Sequence, residues 1–218
     1  RGAGGAYLNS YEYATVTLDP GADLLRFILY PKSPRYVTPA KIARILAAVR
    51  TKSLANDFVR FVGVFVNESL AGVETTLAAT GLDYAQLHGD ETPAMVAALK
   101  GRGYKALRTA TSQLATVEAT TYARLGPRDG PGWLLDAYDP AAYGGTGQRA
   151  DWAIAATLAR RHPGLLLAGG LTPENVTAAI NAVHPWGVDV ASGVERTPGH
   201  KDHELVRKFV QAAKSIVN

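Results

Sequence analysis

Short runs of Val, Ile, Leu and Phe recur along the chain. Longer stretches with apolar residues at helical spacing separate them. The runs read as buried strands at 24–30, 61–66, 84–87, 104–109, 133–136, 165–168 and 188–191, because a strand covered on both faces shows a continuous apolar run rather than an alternation. The intervening stretches predict helices. Over 39–49, Ile42, Ile45, Leu46 and Val49 fall on one stripe, and 93–99, 151–160, 173–183 and 202–216 follow the same rule. Strand and helix alternate, which predicts a parallel sheet with crossover helices. Seven strands plus one unassigned near the N-terminus would make eight; the stretch 11–18 alternates more like a strand than a helix. Spacing alone does not separate a closed (β/α)₈ barrel from an open doubly wound sheet. No linker, repeat or low-complexity tract divides residues 1–218, so one domain is expected.

The helix starts carry more. Thr38-Pro39, Thr92-Pro93 and Thr172-Pro173-Glu174 each set a capping hydroxyl before a proline at the first helical position. Such strand–loop–helix junctions sit at the carboxyl ends of strands, where a barrel builds its site.

Composition narrows the function. The chain has 218 residues, 47% hydrophobic and 19% charged, which suits a globular domain. It has no cysteine, which removes a disulfide framework, a zinc ribbon and a thiol nucleophile. The net charge of +4 is scattered, with Arg160-Arg161-His162 the densest cluster. That favours small anions slightly and does not argue for nucleic acid. The run from Phe58 to Val66 contains Arg60 and is too short to span a bilayer, so no membrane partner is expected. No leader is legible at the start, and the cytoplasm is the simplest compartment. The five histidines are dispersed and suggest no metal; His200 and His203 read as a solvated helix start.

Three glycine-bearing loops each follow a strand. They are Gly144-Gly145-Thr146-Gly147, Gly169-Gly170-Leu171-Thr172 and Ala191-Ser192-Gly193-Val194-Glu195. Glycine lets the backbone approach a ligand closely. Peptide N–H groups at a helix start favour an anion. One such loop usually just turns the chain; three in series after strands point to a phosphate-bearing ligand.

At this point the sequence resembles a known family. The segments are 30–37 (YPKSPRYV), 63–67 (GVFVN), 86–89 (QLHG), 134–136 (LLD), 143–147 (YGGTG), Asp151-Trp152, 168–176 (AGGLTPENV), 188–195 (VDVASGVE) and Pro198-Gly199 with Lys201-Asp202. In this order and spacing they are similar to phosphoribosylanthranilate isomerase of tryptophan biosynthesis, from about Gly21 to the C-terminus. The resemblance implies an α/β fold, a single (β/α)₈ TIM barrel, monomeric or homodimeric. It implies a cofactor-free Amadori rearrangement of N-(5-phosphoribosyl)anthranilate to the 1-deoxyribulose 5-phosphate.

The rearrangement needs an acid to open the ribose ring and a base to take the C2′ proton. The resemblance makes Asp136 the general acid, and an apolar strand ending in a carboxylate could raise its pKa. Read singly, Asp136 would be a loop cap. The resemblance makes Arg35 the partner of the anthranilate carboxylate, a bidentate match, although a lone arginine is more often a surface residue. Gln86 and His88 would line the pocket. Asp189 would hydrogen-bond the substrate amine or a ribose hydroxyl, or else be a satisfied buried carboxylate. Phosphate would rest on the N–H groups of Gly145, Gly170, Ser192 and Gly193.

The family's base is a cysteine in a Lys-Ile-Cys-Gly-type first strand. Residues 1–20 do not resemble that segment and read as an atypical stretch in place of the usual first strand and helix. Arg26 also stands where the family has a small glycine. The general base is therefore unassigned; Glu12 and Asp19 are available carboxylates without a spacing argument. Two further readings stay open: a phosphate-binding barrel that has lost its base, and a related sugar-phosphate barrel enzyme.

Overall fold

Every apolar run read from the sequence is a strand, and one more strand precedes them. The computed structural model describes residues 3–7, 18, 21–51, 59–108, 111–136 and 151–216. Its strands are β1 (Ala3–Tyr7), β2 (Leu24–Ile28), β3 (Arg60–Phe65), β4 (Tyr84–Leu87), β5 (Gly103–Arg108), β6 (Trp133–Asp136), β7 (Leu165–Leu167) and β8 (Gly187–Val190). All pair in parallel with their sequence neighbours. β1 also pairs with β8, so the sheet closes into a barrel.

The first strand fills the place the sequence leaves unassigned. It is Ala3–Tyr7, built of Ala-Gly-Gly-Ala-Tyr, within the stretch that does not resemble the family. Leu18 is helical, and 11–17 lie outside the described residues, as do Glu12 and Asp19.

The barrel wall has two faces, and strand alternation assigns each residue to one of them. Leu24, Val62, Tyr84, Tyr104, Ala106, Leu134, Leu166 and Ala168 pack together inside the barrel. Their neighbours along the strands, such as Leu25, Phe27, Leu87, Leu107, Leu135, Val188 and Val190, pack outward under the helices. The same parity puts Arg26, Gln86, His88, Asp136 and Asp189 on the inner face, toward the carboxyl ends of the strands.

The described helices cover the outside. They are α1 (Pro39–Thr51), α2 (Leu70–Thr80), α3 (Pro93–Ala98), α4 (Ser112–Tyr122), α5 (Trp152–Arg161), α6 (Val176–Val183) and α7 (His203–Lys214). α1 buries the predicted stripe Ile42, Ile45, Leu46 and Val49. Thr92 caps α3 as expected, its side chain accepting from the Met95 N–H at 3.3 Å, with Pro93 in the first turn. At α6 the expectation fails: the helix starts at Val176, not Pro173. Asn175 closes the preceding turn instead, accepting from the Thr172 N–H and donating to the Gly170 carbonyl, both at 2.9 Å. α2 and α4 have no counterpart among the predicted helices. β9 (Glu195–Thr197) and β10 (His200–Lys201) form a small antiparallel pair beyond β8, so His200 lies in a hairpin and only His203 begins a helix. Among the described residues no helix is long and apolar enough to cross a membrane.

Candidate active site at the carboxyl ends of the strands

Arg26, Gln86, His88, Tyr104, Asp136 and Asp189 converge inside the barrel, although they come from five different strands and the residue after β4. Water is excluded here: Arg26 and Gln86 are fully buried and His88 nearly so. Polar groups in such a place must satisfy one another. Gln86 Nε2 donates to the Tyr104 hydroxyl at 2.9 Å. That leaves Gln86 Oε1 to accept, and His88 Nδ1 lies 3.2 Å from it. Nδ1 is then the protonated nitrogen, and Nε2 carries the lone pair. Nε2 faces Asp136 Oδ2 at 3.5 Å. Burial pushes the His88 pKa below its ordinary value; Asp136 pulls it back up, and Arg26 and Lys105 push it lower. His88 is thus held neutral and opposed to the carboxyl that ends β6.

The backbone around His88 is tied down from outside the barrel. Lys105 points away from the interior and donates to the carbonyls of Leu87 at 3.1 Å and Gly89 at 2.6 Å, on either side of His88. Its ammonium also meets Glu91 at 3.2 Å, and Glu91 accepts from the N–H groups of Gly89 and Asn67. Burial lowers the Lys105 pKa, with Glu91 opposing.

A second charged cluster sits on the rim. Arg35 grips Glu195 with a bidentate fork, Nε to Oε1 at 2.9 Å and Nη2 to Oε2 at 2.7 Å. Lys201 completes it, donating to Glu195 Oε1 at 2.9 Å and to the Ala191 carbonyl at 2.6 Å. Burial of Glu195 works upward on its pKa, but the Arg35 and Lys201 contacts outweigh it and leave the carboxyl below its ordinary value. Burial pushes Lys201 down to about 8 despite Glu195.

Two of the glycine loops meet beside this cluster. Gly169 and Gly170 have φ of 88° and 63°, a left-handed path that favours glycine. At Gly193 an added Cβ would lie 1.9 Å from the Leu171 carbonyl oxygen, so only glycine fits there. Ser192, Gly193 and Val194 form a single 3₁₀ turn directly after β8. The loops following β7 and β8 are therefore pressed together. Gly145, with the whole loop 144–147, lies outside the described residues.

Asp136, His88 and Gln86 come together inside the barrel. Asp189 also lies inside the barrel, in an ion pair with Arg26. Arg35 lies on the rim, the Nε/Nη2 edge of its guanidinium on Glu195. Arg26, Glu195, Lys201, Lys105 and Tyr104 escaped the sequence reading as site residues. Charged residues in or beside otherwise apolar strands were the available signal for Arg26 and Lys105. A separate groove of about 570 Å³, lined in part by Arg60, Asp83, Arg102 and Asp129, opens at the opposite, amino-terminal end of the strands, away from this chemistry. Among the described residues no cluster of His, Asp and Glu could hold a metal ion.

A family model for N-(5′-phosphoribosyl)anthranilate (PRA) isomerase matches residues 7–212. The N-(5′-phosphoribosyl)anthranilate isomerase of Pelobacter propionicus is 43% identical over 207 residues, 95% of this chain and 92% of that protein. The crystal structure of phosphoribosyl anthranilate isomerase from Thermotoga maritima is similar with a TM-score of 0.85 and 32% identity, covering 99% of this chain and 100% of that one. A solved phosphoribosyl anthranilate isomerase in complex with reduced 1-(o-carboxyphenylamino)-1-deoxyribulose 5-phosphate matches with a TM-score of 0.82, 32% identity and the same coverage.

Proposed function

Because the chain belongs to the N-(5′-phosphoribosyl)anthranilate isomerase family, we propose that it carries out that isomerisation in tryptophan biosynthesis. The substrate is N-(5′-phosphoribosyl)anthranilate and the product 1-(2-carboxyphenylamino)-1-deoxyribulose 5-phosphate. The observation that carries the reading is Asp136, ending β6 inside the barrel with the buried His88 imidazole 3.5 Å away.

The rearrangement proceeds by proton transfers. Asp136 gives a proton to the ribose ring oxygen, and the ring opens to a Schiff base. His88 Nε2 can only accept a hydrogen bond, so it orients the Asp136 carboxyl without competing as a donor. Gln86 fixes the ring of His88. Arg35 reads the anthranilate carboxylate, its guanidinium held in place by Glu195 on the rim. The phosphate lies against the paired loops, on the N–H groups of Gly170, Ser192 and Gly193. Asp189 lies within the same pocket. The partner is thus a small phosphorylated molecule, and neither nucleic acid nor membrane is involved. The protein works in the cytoplasm as a monomer or homodimer.

Complementation tests this. The gene should restore growth without tryptophan to a bacterial strain lacking only this isomerase. Asp136→Asn keeps the shape and removes the acid, so kcat should fall roughly 10²–10⁴-fold and rescue should fail. A wild-type gene that does not rescue despite soluble expression, or an Asn variant that rescues fully, contradicts the reading. The former result would favour a barrel that retains its loops and lacks the chemistry.

A further inference from the structure

The isomerisation needs a group to take the C2′ proton, and the chain has no cysteine. We propose that Asp189 is this general base, its carboxylate held by Arg26 across β1. The proposal rests on the isomerase reading given above.

Four observations carry it. The first is placement. Val188 and Val190 pack outward in the core beneath the helices, so Asp189 between them faces the barrel interior. Leu25 and Phe27 do the same on β2, which turns Arg26 inward.

The second is the pairing itself. Arg26 Nη2 donates to Asp189 Oδ2, and both residues are buried. β2 and β8 are separated by β1, roughly 10 Å at the usual strand spacing. The β1 residue level with Arg26 is Tyr7, and the one level with Asp189, where the guanidinium ends, is Gly5. Gly5 bears no side chain, which leaves room for the guanidinium beside Asp189. Such a pair keeps the carboxylate ionised and its plane fixed.

The third is the other oxygen. Asp189 Oδ1 is buried and accepts no hydrogen bond. A carboxylate oxygen withheld from water and from donors is poised to take a proton.

The fourth is that the other proton acceptors described inside the barrel are bound or turned to the acid. His88, on the far side of the barrel from β8, turns its Nδ1 to Gln86; its Nε2 makes no hydrogen bond but faces the acid Asp136 at 3.5 Å, and the Tyr104 hydroxyl is bound by Gln86. Acid and base then come from β6 and β8, with β7 between them, so they reach the substrate from different points of the barrel mouth.

The protons balance. Asp136 protonates the ring oxygen, and the C1′–O bond breaks to give the iminium. The C2′–H bond then breaks and its proton passes to Asp189 Oδ1. The bonding pair forms the C1′=C2′ double bond, and the iminium nitrogen becomes a neutral amine. The enolamine ketonises when C1′ gains a proton and the C2′ hydroxyl loses one. Exchange with water returns the proton held by Asp189 and restores the one lost by Asp136.

The test compares wild type, Asp189→Asn and Asp189→Glu on substrate carrying hydrogen or deuterium at C2′. Circular dichroism checks folding, and binding of reduced 1-(o-carboxyphenylamino)-1-deoxyribulose 5-phosphate checks the pocket. Asp189→Asn should lose roughly 10²–10⁴-fold in kcat and keep its affinity for the analogue within a few-fold. Asp189→Glu should keep part of the rate and show a larger isotope effect than wild type, because a displaced base makes proton removal limiting. Should Asp189→Asn not fold with Arg26 left alone, the double variant Arg26→Met/Asp189→Asn removes the pair together and should fold with the same loss of kcat. An Asn or double variant that keeps more than a tenth of wild-type kcat overturns the base assignment and leaves the isomerase reading standing. So does a variant that loses analogue binding with kcat intact. Wild-type protein that neither turns over substrate nor binds the analogue overturns both.

Discussion

Asp189→Leu removes the carboxylate that Arg26 Nη2 donates to, at a point where Arg26 is 0% and Asp189 3% exposed. The guanidinium then stays buried in the barrel with its charge uncompensated. Breaking a buried pair from one side typically costs about 3–5 kcal/mol, most of it the desolvation of the remaining ion. Arg26→Leu should cost a similar amount by stranding the carboxylate. For a chain of this size about 2–4 °C of Tm accompanies each kcal/mol, so either single variant should melt roughly 6–20 °C lower. The double variant Arg26→Leu/Asp189→Leu strands neither charge. Its stability should return to within about 1 kcal/mol of wild type, or exceed it, as apolar replacements of buried pairs often do. Urea unfolding followed by circular dichroism, at equal slopes for all four proteins, gives the coupling energy directly. A coupling of about 3 kcal/mol or more is expected. Single variants that each cost under about 1 kcal/mol, or a double variant whose loss is the sum of the singles, would refute an interior pair bridging β2 and β8.

Three further outcomes follow from the other charged clusters. Arg35→Ala should raise KM for phosphoribosylanthranilate about 10- to 100-fold, the worth of a charge-assisted pair of hydrogen bonds, and an unchanged KM would count against carboxylate recognition. Lys105→Met leaves Glu91 buried without its cation and should destabilise by about 3–5 kcal/mol in urea unfolding; a loss below about 1 kcal/mol would show that the strap outside His88 is not needed. Lys201 gives a pH signature. Its folded pKa of about 8 lies below the ordinary 10.5, so between these values the unfolded chain binds more protons, and stability from this group rises with pH. At about 1.4 kcal/mol per pH unit the gain is up to about 3 kcal/mol. The difference in unfolding free energy between wild type and Lys201→Met should therefore grow from pH 8 to 10.5, and parallel curves would contradict it.

The strands were legible because both their faces are buried and the apolar runs are continuous. α1 was legible because Ile and Leu mark its stripe. α2 and α4 were not, since α2 buries only Val73, Leu77 and Thr80, and α4 only Ala115 and Ala119. Small and polar residues on the buried side flatten the apolar contrast that periodicity relies on. β1 escaped because Ala-Gly-Gly-Ala-Tyr has no β-branched residue and two glycines; only closure against β2 and β8 holds it as a strand. The site divides in the same way. Asp136, Gln86, His88 and Asp189 lie at or near strand ends whose motifs can be read locally. The pairs Arg26–Asp189 and Arg35–Glu195 join residues 163 and 160 positions apart. Nothing local signals either pair; the first exists because closure brings β2 within reach of β8, and the second because the loops after those strands share one rim.

Turnover is the most direct test of the central claim. Purified protein, with an intact mass matching the 218-residue sequence, is given freshly generated N-(5′-phosphoribosyl)anthranilate, and loss of the substrate's fluorescence is followed. Saturable loss that depends on enzyme concentration and yields the 1-deoxyribulose 5-phosphate product is predicted, even without a cysteine. A folded protein of correct mass that leaves the substrate to decay at the buffer rate would contradict it.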